Sequence, residues 1–207
     1  MASSSNIRLS IVNSMLRTIG TAKLSASDTE HPDYIVANDV LEEVLEDFAS
    51  LPLWFNTSQR ILSQDTDGRI PIPNNTIAID PVLGALNYVA RDRYLFDVNK
   101  RTNIIGADVE CFIQAKVDLI DMPTEAIKFI RAQARAKFYL DEDGGERKVR
   151  EYNGAAYSAQ MELFTVNLSR MDINFFSGRA GRSFFTARPS GYQHIAGGTI
   201  GGVNFTQ

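Results

Sequence analysis

Between residues 33 and 50 one pattern limits what this chain can become. Val36, Val40, Leu41, Val44, Leu45 and Phe48 fall on one stripe of a helix, while Asp39, Glu42, Glu43, Glu46 and Asp47 fall on the other side. A helix with one apolar face holds its shape only where the rest of the fold covers that face. Pro52 closes the segment, because a proline disfavours helical backbone in the residue before it. An acid/base pair would draw on the same carboxylates, but a charge run of this kind is the ordinary solvated face of an amphipathic helix.

Three more segments carry a helical period. Residues 7–20 place Ile11, Val12, Met15, Leu16 and Ile19 at helical spacing and stop at Gly20. Residues 123–141 open on Pro123, which suits a first turn, and align Ala126, Ile127, Ile130, Ala134 and Phe138 beside the basic Lys128, Arg131, Arg135 and Lys137. Residues 146–170 repeat Val149, Tyr152, Ala156, Ala159, Leu163 and Val166 at alternating steps of three and four. Such a seam serves packing within a bundle or against a neighbour's helix.

The middle of the chain changes period. Residues 54–62, 69–72, 77–79, 88–96 and 109–119 read as short strands, separated by the turn signals Asp67-Gly68, Pro73-Asn74-Asn75, Val98-Asn99-Lys100 and Ile105-Gly106. Pro71 and Pro73 put residues 69–73 on a sheet edge or outside the ladder. The expected fold is mainly α with an inserted small antiparallel β region (α+β). It has a four-helix bundle-like core and a β-rich insertion at about residues 54–119.

Composition bounds the function classes. The chain has 207 residues, 44% apolar and 22% charged, with a net charge of −4, which argues against gripping nucleic acid by bulk charge. Its single cysteine, Cys111, cannot form an intramolecular disulfide and sits in an apolar run as a small buried hydrophobe. No apolar stretch approaches the ~20 residues of a membrane span, and the first residues lack a signal-peptide core, so synthesis in the cytoplasm is expected.

Catalytic and metal constellations are missing. One cysteine and two histidines, His31 and His194, do not make a zinc ligand set, and both histidines read as solvated surface groups. Asp65-Thr66-Asp67-Gly68 resembles a fragment of a calcium loop, but the position of the bidentate acid falls near Thr76 or Ile77, so it reads as a turn. Asp141-Glu142-Asp143 with Glu146 reads as an acidic connection between helices rather than a cation site. No cofactor, metal or catalytic residue is expected. A hydrolase built from Asp and Glu of the β region has nothing in its favour.

Residues 171–207 differ from everything before them. They combine many glycines with Phe175-Phe176 and Phe184-Phe185, and no period long enough to fold alone. A segment rich in both Gly and Phe reads as an extended arm that orders on a partner, against the alternative of an end packing loosely on its own domain. The expected division is therefore a domain at 1–170 and an arm at 171–207. Within the arm Arg182 and Arg188 interleave with Phe184, Phe185 and Tyr192. Those residue types dominate protein docking sites and also occur at single-stranded nucleic acid, a weaker fit for an acidic chain.

Several motifs occur in the order of one known family. Val12-Asn13, Leu16 and Ile19-Gly20 form a VN-x-x-L-x-x-IG opening, and Trp54-Phe55-Asn56 follows the long second helix. Tyr88, Arg91 and Leu95-Phe96-Asp97 lie in the strand region, and residues 117–126 form an apolar-acidic run into Pro123, Glu125 and Ala126. Together they resemble the tail tubular protein A, or head-to-tail adaptor, family of T7-like short-tailed bacteriophages, over residues 7–170. Thr124 before Glu125 and the Gly-rich end depart from that pattern.

The resemblance implies a non-enzymatic virion structural protein at the head–tail junction. Such adaptors form a ring, usually dodecameric, between the portal protein and the tubular tail nozzle, around a channel for double-stranded genomic DNA. In that setting Arg182, Phe184, Phe185, Arg188 and Tyr192 would dock the arm on the portal or a neighbour, and Glu42, Glu43 and Glu46 would face the channel and repel DNA. Burial of two Phe side chains contributes on the order of 3–6 kcal/mol before ordering costs. The rival class is a nucleic-acid-binding module that lays Lys128, Arg131, Arg135 and Lys137 on a phosphate backbone.

Overall fold

A computed structural model describes residues 4–26, 28–82 and 87–170. In chain order these form α1 (Ser4–Leu16), a 3-10 turn (Arg17–Ile19), α2 (Pro32–Ala49), β1 (Thr57–Leu62), β2 (Thr76–Pro81), β3 (Tyr88–Arg91), β4 (Tyr94–Asp97), β5 (Val109–Ala115), α3 (Thr124–Glu142) and α4 (Glu146–Arg170). The result is an α+β fold, mainly helical, with two small antiparallel sheets between α2 and α3.

α1 starts three residues before the expected position. Apolar spacing reports only its buried part, Ile11, Val12, Met15 and Leu16, whereas its polar first turns are fixed by Arg8, which pairs with Glu42 and donates to Asn38 Oδ1 at 3.0 Å. Gly20 ends the helical stretch in the left-handed region at φ 82°, with its N–H on the Arg17 carbonyl. The polar loop that follows is clamped by Asn13, which is 6% exposed. Its Nδ2 donates to the Leu24 carbonyl and its Oδ1 accepts from the Leu24 N–H.

α2 is capped by His31, whose Nδ1 accepts from the Asp33 N–H at 3.2 Å, with Pro32 at the first helical position. His31 is exposed, as expected, but it has a structural role that the sequence reading missed. The buried stripe is centred on Ala37, Leu41, Val44, Leu45 and Phe48, and Val36 is 45% exposed. Val36 was expected in the core. The adjacent Ala37 is fully buried, so the packed face is rotated towards it.

α1, α2 and α3 pack on one another in pairs. Their core joins Ile11, Val12, Met15 and Leu16 to Leu41, Val44 and Phe48 and to Ile130, Ala134 and Phe138. Phe129, absent from the expected stripe, packs on Phe48 with ring centroids 5.9 Å apart. α4 joins this core through Leu163, with Ala159 and Phe164 packed against it. Its seam Val149, Tyr152, Ala156, Ala159, Leu163 and Val166 is buried or half-buried throughout; Ala159 and Leu163 meet the core and Tyr152 packs on Tyr139.

The first sheet has the order β1-β5-β2, with Thr57 opposite Gln114, Leu62 opposite Val109 and Ile79 opposite Ile113. Expected strand 88–96 is in fact two strands, β3 and β4, joined at Asp92 and Arg93 with φ of 51° and 67°. Two-residue turns with both central residues at positive φ usually carry Asn-Gly, so Asp-Arg gave no warning. Residues 69–73 lie outside the named strands and make isolated bridges at Arg69–Ile104 and Pro71–Tyr94, as their prolines require. The Asp65–Gly68 segment is a turn, with Asp65 Oδ1 accepting from the Asp67 and Arg69 N–H groups.

A second core lies here, built from Leu62, Ile70, Ile72, Leu95, Val109, Cys111 and Ile113. Buried Asp97 closes β4 by accepting from the Asn99 and Lys100 N–H groups, each at 2.9 Å. Cys111 is fully buried as expected, and burial, then the carboxylates of Asp80 and Glu110, push its thiol up to about 11.

The two cores meet where α2 runs into β1. Residues 54–56 were expected to begin a strand, but their neighbourhood is held by side-chain amides. Asn56 accepts from the Leu53 N–H at 2.8 Å and donates to the Leu51 carbonyl at 2.9 Å. Asn167 Oδ1 of α4 accepts from the Trp54 N–H at 2.8 Å, and Gln114 of β5 donates to the Ala49 carbonyl at 2.7 Å. The Asn56 N–H turns back to the Leu53 carbonyl, and cross-strand bonding to β5 begins only at the Asn56 carbonyl, which accepts from the Ala115 N–H. β5 likewise ends at Ala115, short of the expected 119, and the Lys116 N–H turns to the Asn75 carbonyl.

Two outcomes are expected. Asn167→Leu leaves the Trp54 N–H without its acceptor and lowers stability by about 1–3 kcal/mol in urea unfolding, whereas Asn167→Asp, which keeps an acceptor, loses less. The Cys111 thiol gives a pH dependence. Below its ordinary value near 9 both folded and unfolded chains keep the proton, and between 9 and about 11 only the unfolded chain releases it. The stability of the wild-type chain over Cys111→Ala is therefore full below pH 9 and shrinks towards pH 11. Parallel curves across that window would contradict a buried thiol.

Candidate assembly surfaces

The acidic face of α2 is less bare than its sequence. Glu42 is paired with Arg8 of α1, and Glu43 with Lys137 of α3 at 2.5 Å. Glu46 is exposed and has no paired cation among the described residues. Two of the three carboxylates thus tie α2 to its neighbours. They are partly exposed, so each pair adds little stability and mainly fixes side-chain positions.

α3 divides its basic residues in the same way. Lys128 reaches Glu162 of α4 at 2.8 Å, a contact that raises its pKa, and Lys137 is held by Glu43. Arg135 lies over the Tyr152 ring of α4, 4.9 Å from its centroid. A continuous phosphate-binding stripe of Lys128, Arg131, Arg135 and Lys137 is therefore interrupted at both lysines. Like the acidic face of α2, this helix uses charge to hold its neighbours.

The acidic connection between α3 and α4 is organised by Tyr139. Its hydroxyl donates to Asp143 at 2.5 Å, a bond that raises the phenol's pKa together with burial, and its carbonyl accepts from the N–H groups of Asp143 and Gly144. Gly144 takes a φ of 64°, and the Tyr139 ring meets Tyr152 edge-on at 5.1 Å. Asp143 acts here as a turn acceptor. No group of metal-ligating side chains occurs among the described residues.

A cavity of about 160 Å3 lies between α1, α2 and the segment after β5, lined by Arg8, Glu42, Phe48, Phe55, Lys116 and Asp118 among others. Its Arg8 and Glu42 neutralise each other. Nothing in it pairs a nucleophile with a base.

Large apolar side chains remain in solvent on both modules. Tyr157 and Met161 are 63% and 48% exposed on α4, one turn apart and off its buried seam, and Ile61 and Ile104 are 67% and 56% exposed in the β region. Sequence reasoning missed them because it assigns apolar residues to the core. Only the i, i+4 spacing of Tyr157 and Met161 outside the seam was available as a signal. Arg182, Phe184, Phe185, Arg188 and Tyr192 lie outside the described residues.

Residues 9–172 match the model of a family described as tail tubular protein. A relative, tail tubular protein A of Klebsiella phage KP34, is 25% identical over 144 residues, which cover 70% of this chain and 77% of that protein. The matched segment takes in the helical core and the whole β module, together with the Asn13 clamp, the Trp54-Phe55-Asn56 junction and the Asp97 turn. The chain belongs to the tail tubular protein family and is a structural protein of a bacteriophage tail.

Proposed function

We propose that this chain is a subunit of a homo-oligomeric ring, a dodecamer as in head-to-tail adaptors, seated between portal and tail nozzle at the virion's head–tail junction. Double-stranded DNA passes through its channel without being held. The observation that carries this reading is the family match across residues 9–172. Exposed Tyr157 and Met161 on α4, and Ile61 and Ile104 on the β module, support contacts on both modules, since large apolar groups in water mark interaction surfaces.

In this reading residues 1–170 are the adaptor domain of four bundled helices with the β insertion, and residues 171–207 are the docking arm. The arm anchors on the portal or on a neighbouring copy through Phe184 and Phe185, flanked by Arg182, Arg188 and Tyr192. α2 turns Glu42, Glu43 and Glu46 to the channel. Two of these are charge-paired, so repulsion of DNA falls chiefly to Glu46 and its unpaired neighbours. The protein is made in the host cytoplasm, acts without a cofactor and catalyses no reaction. No helix among the described residues is long and apolar enough to cross a membrane.

The mass of the purified chain, alone and mixed with portal rings, tests the proposal. A ring-sized particle, or recruitment to the portal in fixed stoichiometry, is expected. Phe184→Ala with Phe185→Ala should leave the circular dichroism and melting of the domain unchanged while weakening portal attachment by a factor of roughly ten or more. Undiminished attachment of that variant would remove the arm from the interface, and a chain indifferent to every portal would remove the adaptor reading itself.

A further inference from the structure

Arg17, Arg131 and Arg135 line one cavity of about 280 Å3, and Ser10 and Ser14 complete its walls. α1 contributes the serines, the 3-10 turn contributes Arg17, and α3 contributes Arg131 and Arg135 one helical turn apart. No carboxylate lines the cavity, and none of the three arginines belongs to an ion pair among the described residues. The Nε atoms of Arg131 and Arg135 are buried and have no hydrogen-bond partner among the described residues.

Such an arrangement is unfavourable when empty of anions. Buried guanidinium donors without acceptors lose hydration with no return, and like charges at i, i+4 repel. The Tyr152 ring beneath Arg135 orients that guanidinium without accepting from its in-plane N–H groups. Lys128 and Lys137 on the same helix both have carboxylate partners, so the lack of one is particular to the two arginines.

We propose that this cavity is an oxyanion site for a phosphate-class dianion. Three guanidinium charges against a dianion leave a single excess positive charge, whereas a carboxylate would leave two. The guanidinium fork also matches the spacing of phosphate oxygens. The Ser14 hydroxyl already donates to the Ile11 carbonyl at 2.6 Å, so the arginines carry the recognition. Inorganic phosphate and an organic phosphate monoester share this chemistry, whereas a nucleic-acid backbone phosphodiester is a monoanion and would leave two excess charges, as a carboxylate does. The site belongs to the single chain and does not depend on ring assembly.

Calorimetric titration of the full chain with inorganic phosphate at pH 8, at ionic strength held constant with sodium chloride, tests this. Saturable binding at one site is expected, with a rise in melting temperature that chloride alone does not give. Arg131→Gln with Arg135→Gln should abolish the binding. Arg17→Gln changes an exposed residue with no ion pair among the described residues, and it should weaken binding about tenfold. A phosphate monoester that displaces inorganic phosphate identifies an organic phosphate as the source, and one that does not identifies the free ion. Absence of saturable binding by the wild-type chain, or wild-type affinity in Arg17→Gln, overturns the proposal.

Discussion

The Asn56 side chain, fixed between the Leu53 N–H and the Leu51 carbonyl, sets the geometry on which both halves of the molecule depend. It holds the chain in a tight turn at the point where α2 has ended and β1 has not begun. Gln114 reaches back from the sheet to the last turn of α2, and Asn167 reaches across from α4 to the Trp54 N–H. Three buried amides thus bind helix, sheet and C-terminal helix at one place. A junction of apolar side chains would bury as much surface, but it would not fix direction, because burial has no preferred angle and a hydrogen bond does. Two separate hydrophobic cores can therefore act as one body.

Legibility in the sequence follows the physics of each element. α2, α3 and α4 were readable almost to the residue, because long apolar periods with turn residues at their ends admit one interpretation. The polar start of α1 was not, since Arg8 stabilises it through α2 and leaves no periodic trace. Strand positions were roughly right, yet the β3–β4 turn at Asp92-Arg93 was invisible without a glycine. Of the motifs that pointed to the family, Asn13, Asn56 and Asp97 each hold a loop or turn by side-chain hydrogen bonds. They identify a fold because they specify its corners.

The surfaces were far less legible, and for one reason. A charge on a helix reads as solvated until its partner on another helix is known. Glu43 and Lys137 are 94 positions apart in sequence and 2.5 Å apart in space, and neither residue alone indicates the pair. The same blindness hid the arginine cavity, because Arg17 comes from the first helical segment and Arg131 and Arg135 from the third. A basic helix seen in one dimension became, in three, two tethered lysines and two half-buried arginines.

That rearrangement bears on the proposed passage of DNA through a ring of this chain. If the chain forms the ring proposed above, the wall around a moving duplex must neither grip nor scatter charge at random. Cations tied to carboxylates of adjacent helices present short dipoles, whose fields fall off faster than those of single charges and are screened within about 8–10 Å at physiological salt. Arg131 and Arg135 are likewise half-buried, with their Nε atoms covered. With Arg8, Lys128 and Lys137 paired and a net charge of −4, the helical faces built from α1, α2 and α3 offer a duplex fewer points of attachment than their basic sequence indicates. Attachment to other proteins can then rest on exposed apolar side chains such as Tyr157 and Ile61, whose contribution does not weaken as salt rises.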